Sequence, residues 1–269
     1  MAIHDLETAV PDTRPIPDDA EFTFGSDSSK DLVGSGFAEP GIDYNGNGEA
    51  EDVLAWALDK FSPRIALATS FKDAVLIHMM LKIRPDVRVF ALDTGRMNEE
   101  TYQCAEDIRR RLKVNIEWFF PEREQVEVLE REKGMYSFRQ SLENRKDCCF
   151  IRKVEPLNRA LKGLDAWITG MRRDQGVTRK SVHKIEIDRA HGDIIKINPL
   201  ADWDQERIRD YVRTHSLPYN KLFEQGYQSI GCAPCTRPVK EGGDPRSGRW
   251  WWESAEQKEC GIHVPDFSI

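Results

Sequence analysis

Arg64-Ile65-Ala66-Leu67-Ala68-Thr69-Ser70-Phe71-Lys72-Asp73-Ala74-Val75-Leu76-Ile77-His78-Met79-Met80-Leu81 decides the fold. The apolar run Ile-Ala-Leu-Ala is bounded by Pro63 and Thr69-Ser70, which reads as a buried strand over Arg64–Ala68. Asp73 to Leu81 then carries Val75, Leu76, Met79 and Met80 at helical spacing. The turn between them offers hydroxyls and backbone N–H groups at a helix N-terminus, an arrangement suited to anions. It lacks the Gly-rich run and Gly-Lys-Ser/Thr ending of a Walker loop.

The same alternation extends in both directions. Glu51–Phe61 reads as a helix, Val87–Leu92 as a strand, Glu99–Leu112 as a helix, Val114–Phe119 as a strand, Glu122–Glu132 as a helix and Ala166–Thr169 as a strand. Lys184–Asp188 and Ile194–Ile197 read as short strands, joined as a hairpin across residues 189–193. A helix over Trp203–His215 is expected, capped by Asp202 with Gln205 three residues on. Strands alternating with helices predict an α/β fold with a doubly wound, mostly parallel sheet. Ligands of such sheets bind beyond the carboxyl ends of the strands. The loops Thr69–Asp73, Asp93–Asn98 and Gly170–Lys180 are therefore the ones to watch.

Composition narrows the function classes. The 269 residues hold no run of eighteen apolar residues, so no membrane span is expected. The acidic start lacks an apolar h-region, and a reducing cytoplasm is the expected location. The net charge of −7 is uneven: residues 1–52 carry −11 and the remainder +4. A mildly basic body suits an anionic small molecule, not nucleic acid. Residues 1–48 read as an acidic, weakly ordered leader, 49–245 as the α/β body and 246–269 as a C-terminal segment.

Five of the six cysteines carry the chemistry. Cys148 and Cys149 are adjacent, Cys232 and Cys235 form a Cys-x-x-Cys, and Cys260 stands alone in Glu259-Cys260-Gly261-Ile262-His263. Two such pairs imply a metal or iron–sulfur site. Adjacent side chains diverge, which strains binding to one small tetrahedral ion and favours the larger cubane, while leaving zinc open. Cys260, nine residues from the end, suits a nucleophile that meets two partners in turn. Cys104, inside a predicted helix, reads as a small core residue. Arg172-Arg173 after Gly170 read either as a grip for phosphate or sulfate or as a solvated basic loop, and Arg246 and Arg249 add two arginines among glycines and the Trp250-Trp251-Trp252 triplet. Core packing is the first expectation for that triplet.

Asp93-Thr94-Gly95-Arg96, Thr169 to Gln175, the two cysteine pairs, Arg249 to Glu253 and Glu259 to His263 together resemble the assimilatory adenylyl-sulfate reductases over residues 51 to 263. The resemblance implies an adenine-nucleotide alpha-hydrolase-like fold. It also implies a [4Fe–4S] cluster on Cys148, Cys149, Cys232 and Cys235. It makes Cys260 the nucleophile that takes sulfur from adenosine 5′-phosphosulfate (APS), leaving AMP and an S-sulfocysteine resolved by thioredoxin, within sulfate assimilation and cysteine biosynthesis. It places Ser70, Asp93, Thr94, Gly95, Lys153, Arg172, Arg173, Arg246 and Arg249 around the substrate, and is compatible with a homo-oligomer. The rivals are reduction of the 3′-phosphorylated nucleotide, a non-catalytic zinc-bound interaction protein and an ATP-pyrophosphatase-type sulfur insertion. Enzymes of the latter kind need a fuller Gly-rich loop than Ser70–Ala74.

Overall fold

In a computed structural model, residues 49–240, 242–254, 258 and 262 are described. Six strands form one sheet in the order β3-β2-β1-β4-β6-β5. The central strand is β1 (Ile65–Thr69), flanked in parallel by β2 (Val89–Leu92) and β4 (Ala166–Ile168). Outside β2 lies β3 (Ile116–Phe119), also parallel, and outside β4 lies β6 (Ile194–Ile197). The edge strand β5 (Ile185–Asp188) runs antiparallel to β6, as expected of a hairpin. The chain winds outward from β1 to β3, then crosses back to β4 on the other flank. That reversal opens a crevice between the carboxyl ends of β1 and β4.

Helices α1 (Ala50–Phe61), α2 (Val75–Ile83), α3 (Glu99–Leu112) and α4 (Arg123–Lys133) fall where the periodicity places them, within two residues at each end. In α3 the buried Thr101, Cys104, Ala105 and Ile108 follow the i, i+3, i+4, i+7 stripe of an amphipathic helix. Cys104 is thus a core residue, and its burial pushes the thiol up to about 12.

One helical stretch was not legible from periodicity. Leu142–Cys149 (α5) begins at Ser141, whose hydroxyl accepts from the Asn144 N–H at 3.1 Å. It continues through a π-helical turn, Phe150–Val154, into α6 (Glu155–Leu161). Leu157, Ala160 and Leu161 of α6 pack with Leu164 on Ala66, Phe90 and Trp167 of the sheet, a continuous apolar layer. Truncating Leu157 to Ala would cost roughly 2–5 kcal/mol. The mixed helical register hid the stretch: α5 has almost no amphipathic stripe, because cysteines and a buried Arg145 take its inner face.

The last helix, α7 (Gln205–Thr214), starts later than expected. Asp204 caps it, accepting from the Arg207 N–H at 2.8 Å. The carboxylate of Asp202, the expected cap, lies 3.0 Å from the buried Lys184 ammonium instead. No described helix is long and apolar enough to cross a membrane.

Candidate active site and cysteine-lined cavity

The crevice between β1 and β4 is a cleft. Its floor is the turn after β1, residues 69–73, and its far wall is Thr169–Arg172 after β4. Phe71 holds a left-handed backbone (φ 51°), a conformation costly for a bulky residue. The surroundings enforce it. The Phe71 ring is buried 5.2 Å from Trp118, and the fully buried Asn220 amide donates to the Phe71 carbonyl at 3.2 Å. Asp73 then accepts from the Val75 N–H at 3.1 Å and starts α2.

Of the residues singled out from sequence, Ser70, Thr94, Lys153, Arg172, Arg246 and Arg249 all line this cleft. Asp93 and Gly95 brace it from behind. The Asp93 carboxylate accepts from the Gly95 N–H at 2.7 Å and from the Tyr102 hydroxyl at 3.0 Å. Gly95 supplies the positive φ (68°) that this turn needs. Burial, then the bond to Asp93, pushes the Tyr102 phenol up to about 12. Arg173 is not brought to the cleft: its guanidinium donates to the Val182 carbonyl at 2.8 Å, because the 3₁₀ turn Arg173–Gln175 directs neighbouring side chains apart.

The cleft also holds cations that sequence reasoning did not single out. Lys72 sits in the first turn and Arg179 in the loop after β4. Both lie in loops already marked as ligand-facing, but nothing in local spacing separates them from solvated charges. Burial, then the nearby Arg179, Arg172, Arg246 and Arg249, lowers Lys72 to about 7. Arg246 donates to the Lys258 carbonyl, and Arg249 to the Ile230 carbonyl at 3.4 Å. A Cβ on Gly231 would stand 2.5 Å from the Arg249 guanidinium, so only glycine leaves room for it there.

Behind one wall lies a second, smaller cavity. Cys148, Cys149, Cys232 and Cys235 line it together with Arg96, Phe138, Arg145, Arg152, Lys153 and Trp250. Neighbours on a helix point about 100° apart, yet Cys148 and Cys149 both reach this space from the end of α5. The Cys-x-x-Cys forms a 3₁₀ turn, Ala233–Cys235, pinned by the Ala233 N–H to the Arg96 carbonyl at 2.8 Å. Trp250 is fully buried, its backbone N–H donating to the Cys235 carbonyl at 3.1 Å, while Trp251 and Trp252 are half-buried. The triplet is thus split between core and surface.

Burial raises the Cys148 thiol and pushes Cys235 up to about 12, with Cys232 adding to the latter shift. Cys232 feels the same burial but is held below its usual value, because Lys153, the Thr94 hydroxyl and Arg249 outweigh it. As the side chains stand, no group of three or more His, Cys, Asp or Glu among the described residues could hold a single metal ion. Cys232 and Lys153 face both the cavity and the cleft, so the two are separated by one layer of side chains. Cys260, Glu259 and His263 lie outside the described residues, as do residues 1–48.

Residues 64–238 match the phosphoadenosine phosphosulfate reductase domain family. The chain is 44% identical over 218 residues to a Burkholderia cepacia protein named adenosine 5′-phosphosulfate reductase, covering 80% of this chain and 87% of that one. It is 45% identical over 206 residues to the protein of the same name from Allochromatium vinosum, covering 76% and 80%. Among solved structures, the phosphoadenylyl-sulfate reductase of Candida auris, in a phosphate complex, superposes with a TM-score of 0.61 at 29% identity. That match covers 72% of this chain and 91% of the other.

Proposed function

This chain belongs to the phosphoadenosine phosphosulfate reductase family, and on that premise we propose that it reduces adenosine 5′-phosphosulfate to sulfite and AMP in sulfate assimilation. The observation that carries this reading is the convergence of Lys72, Lys153, Arg172, Arg179, Arg246 and Arg249 on one cleft at the β1/β4 reversal. A phosphosulfate is a compact, multiply charged anion, and this is a compact, multiply charged cationic site.

The sulfate sulfur is shielded by oxygen charge. Preorganised cations neutralise that charge as it moves toward the leaving phosphate, in a site where they need not reorganise. Cys260 is the nucleophile in this reading. Its thiolate attacks the sulfur, the Sγ–S bond forms, the bond from sulfur to the phosphate oxygen breaks, and AMP departs with that electron pair. The described residues on either side of Cys260 support the assignment: Ile262 lines the cleft, and the Lys258 carbonyl accepts from Arg246. Thioredoxin supplies the two electrons. One of its thiolates attacks the Cys260 sulfur and displaces sulfite, and its second thiol closes the thioredoxin disulfide and restores Cys260. The cytoplasm, which keeps such dithiols reduced, is the fitting compartment.

The four cysteines suit a [4Fe–4S] cluster. The donor set is all thiol, four side chains share one cavity, and Arg96, Arg145, Arg152 and Lys153 stand by to offset thiolate charge. A cubane offers one iron to each thiolate, so its sulfurs spread wider than ligands of a lone ion. Metal would also displace the protons that burial keeps on Cys148 and Cys235. When bound, the cluster would supply a fixed charge and a covalent tie beside Lys153. Lys153 itself bonds Cys232 and faces the cleft, so it couples the position of that wall to the substrate's charge.

The test is a sulfite assay with thioredoxin on both nucleotides, beside iron and acid-labile sulfide analysis. We expect sulfite from the unphosphorylated nucleotide and close to four irons per chain. A strong preference for the 3′-phosphorylated substrate, the one named in the Candida auris relative, would reject the assignment. A colourless protein holding zinc and no iron would reject the cluster.

A further inference from the structure

Lys72 stands where three cavities meet. One is the cleft just described. A second is a polar chamber bounded by Arg209, Gln228 and Ser229, which shares Lys72, Arg172, Arg179 and Arg246 with the cleft, and a third lies against α7. The backbone at Lys72 is fixed: its carbonyl accepts from the Asn220 N–H at 2.9 Å, and Asp73 bridges to Tyr219. Its ammonium has no hydrogen-bond or ion-pair partner among the described residues.

The charged groups around it come from every neighbouring segment. The loop after β4 supplies Arg172 and Arg179, and the segment after the cysteine turn supplies Arg246 and Arg249. Its own turn supplies Asp73, whose carboxyl is raised, chiefly by burial. Across the chamber stand Asp174, Arg209 of α7 and Glu224, and the third cavity adds Arg111 of α3 and Arg213 of α7. The guanidiniums cannot shed their protons. Among the described cations shared by the cleft and the chamber, Lys72 alone can, and the lowering to about 7 puts that event at neutral pH.

Resting on the reading of this cleft as a phosphosulfate site, we propose that Lys72 is a further substrate-binding cation that takes up a proton as the anion binds. The free amine, a proton from solvent and the substrate give an ammonium–anion pair, and no bond in the substrate is broken. The direction with pH follows. Below about pH 7 the lysine is already charged in the empty cleft, so affinity is independent of pH. Above it each complex requires one proton, and affinity falls by up to about tenfold per pH unit until the higher pKa of the bound state is passed. Arginine at this position would hold the charge permanently and lose that dependence.

The experiment is calorimetric titration of the full-length Cys260→Ser protein with adenosine 5′-phosphosulfate, in buffers of different ionisation enthalpy. The slope of observed enthalpy against buffer enthalpy counts protons. Uptake of about half a proton is expected at pH 7, rising toward one at about pH 8.5 and vanishing near about pH 5.5. Lys72→Gln should abolish the uptake and weaken binding about tenfold at pH 6.5. Lys72→Arg should bind without uptake at any of these pH values, and Asp73→Asn should keep the uptake. The inference is overturned if the parent protein takes up no proton, if Lys72→Gln keeps the uptake, or if Asp73→Asn loses it. Should Lys72→Gln fail to fold, the parent count and Lys72→Arg decide. No binding of the nucleotide by any variant would instead overturn the reading of the cleft itself.

Discussion

Two groups of cations flank Cys232, and they are partnered differently. Beside the cysteine cavity, Arg152 meets Glu130 at 2.7 Å, Arg96 shares the same carboxylate, and Arg145 meets Glu253 at 2.7 Å. Two carboxylates thus offset most of the charge of these three arginines, and the remainder faces the thiols. In the cleft, Arg249 meets the Ile230 carbonyl and leaves a buried Nε unpartnered, Arg246 meets the Lys258 carbonyl, and Arg179 meets the Gln175 amide. Neutral acceptors satisfy these hydrogen bonds without themselves cancelling charge. Arg172 is the intermediate case, held by both Asp174 and Gln205. The difference separates cations held by carboxylates from cations whose described hydrogen bonds go to neutral groups.

The strongest way to test the division is to remove the nucleophile assigned to the cleft side alone. Cys260→Ser should drop sulfite formation by about 10⁴-fold or more while iron content stays unchanged. Iron lost from that variant would mean Cys260 belongs with the other four cysteines. On the cavity side, Cys149→Ser should lose most of the iron and the visible absorption, and activity with them. Full iron retention there would break the ligand assignment.

Single cations should then separate the groups. Arg249→Gln is expected to lower kcat/KM by roughly 10²–10³-fold at normal iron content, read by steady-state kinetics and iron assay together. A parallel fall of iron would show that Arg249 serves the cavity instead. Glu253→Gln should do the reverse. It removes the carboxylate that meets the buried Arg145, costing about 3 kcal/mol, which thermal denaturation would register as a Tm lower by roughly 10 °C. The surviving folded enzyme should turn over within a few-fold of the parent. An unchanged Tm would mean the pair is not structural. The smallest effect belongs to Tyr102→Phe, which removes the hydroxyl bracing Asp93. About 1 kcal/mol should appear as a few-fold rise in KM, and a collapse of kcat would give Tyr102 a chemical role.

Much of the sheet was legible because periodicity is local. Ile65–Leu67 and the apolar stripe of α3 announce burial residue by residue, and the hairpin at Asp188–Ile194 announces itself by length. The helix through Cys149 was not legible, since its inner face carries Arg145 and cysteines in place of leucines. Arg172 and Arg173 look alike in sequence, and a single 3₁₀ turn sends one to the cleft and the other to Val182. Asn220 left no signal at all, being a buried polar residue whose partners, Phe71 and Thr101, lie far away in the chain.

By itself, the order of residues determined the alternation of strands and helices, the crossover loops that face ligand, and the presence of two thiol pairs apart from a solitary terminal thiol. These follow from side-chain chemistry and short-range spacing. Only the tertiary structure decided that Cys148 and Cys149 share a cavity with Cys232 and Cys235, and that Lys72 joins four arginines. It also decided which charges meet carboxylates. Those outcomes depend on segments meeting across the sheet, and the field at a site is a sum over neighbours that no local pattern records.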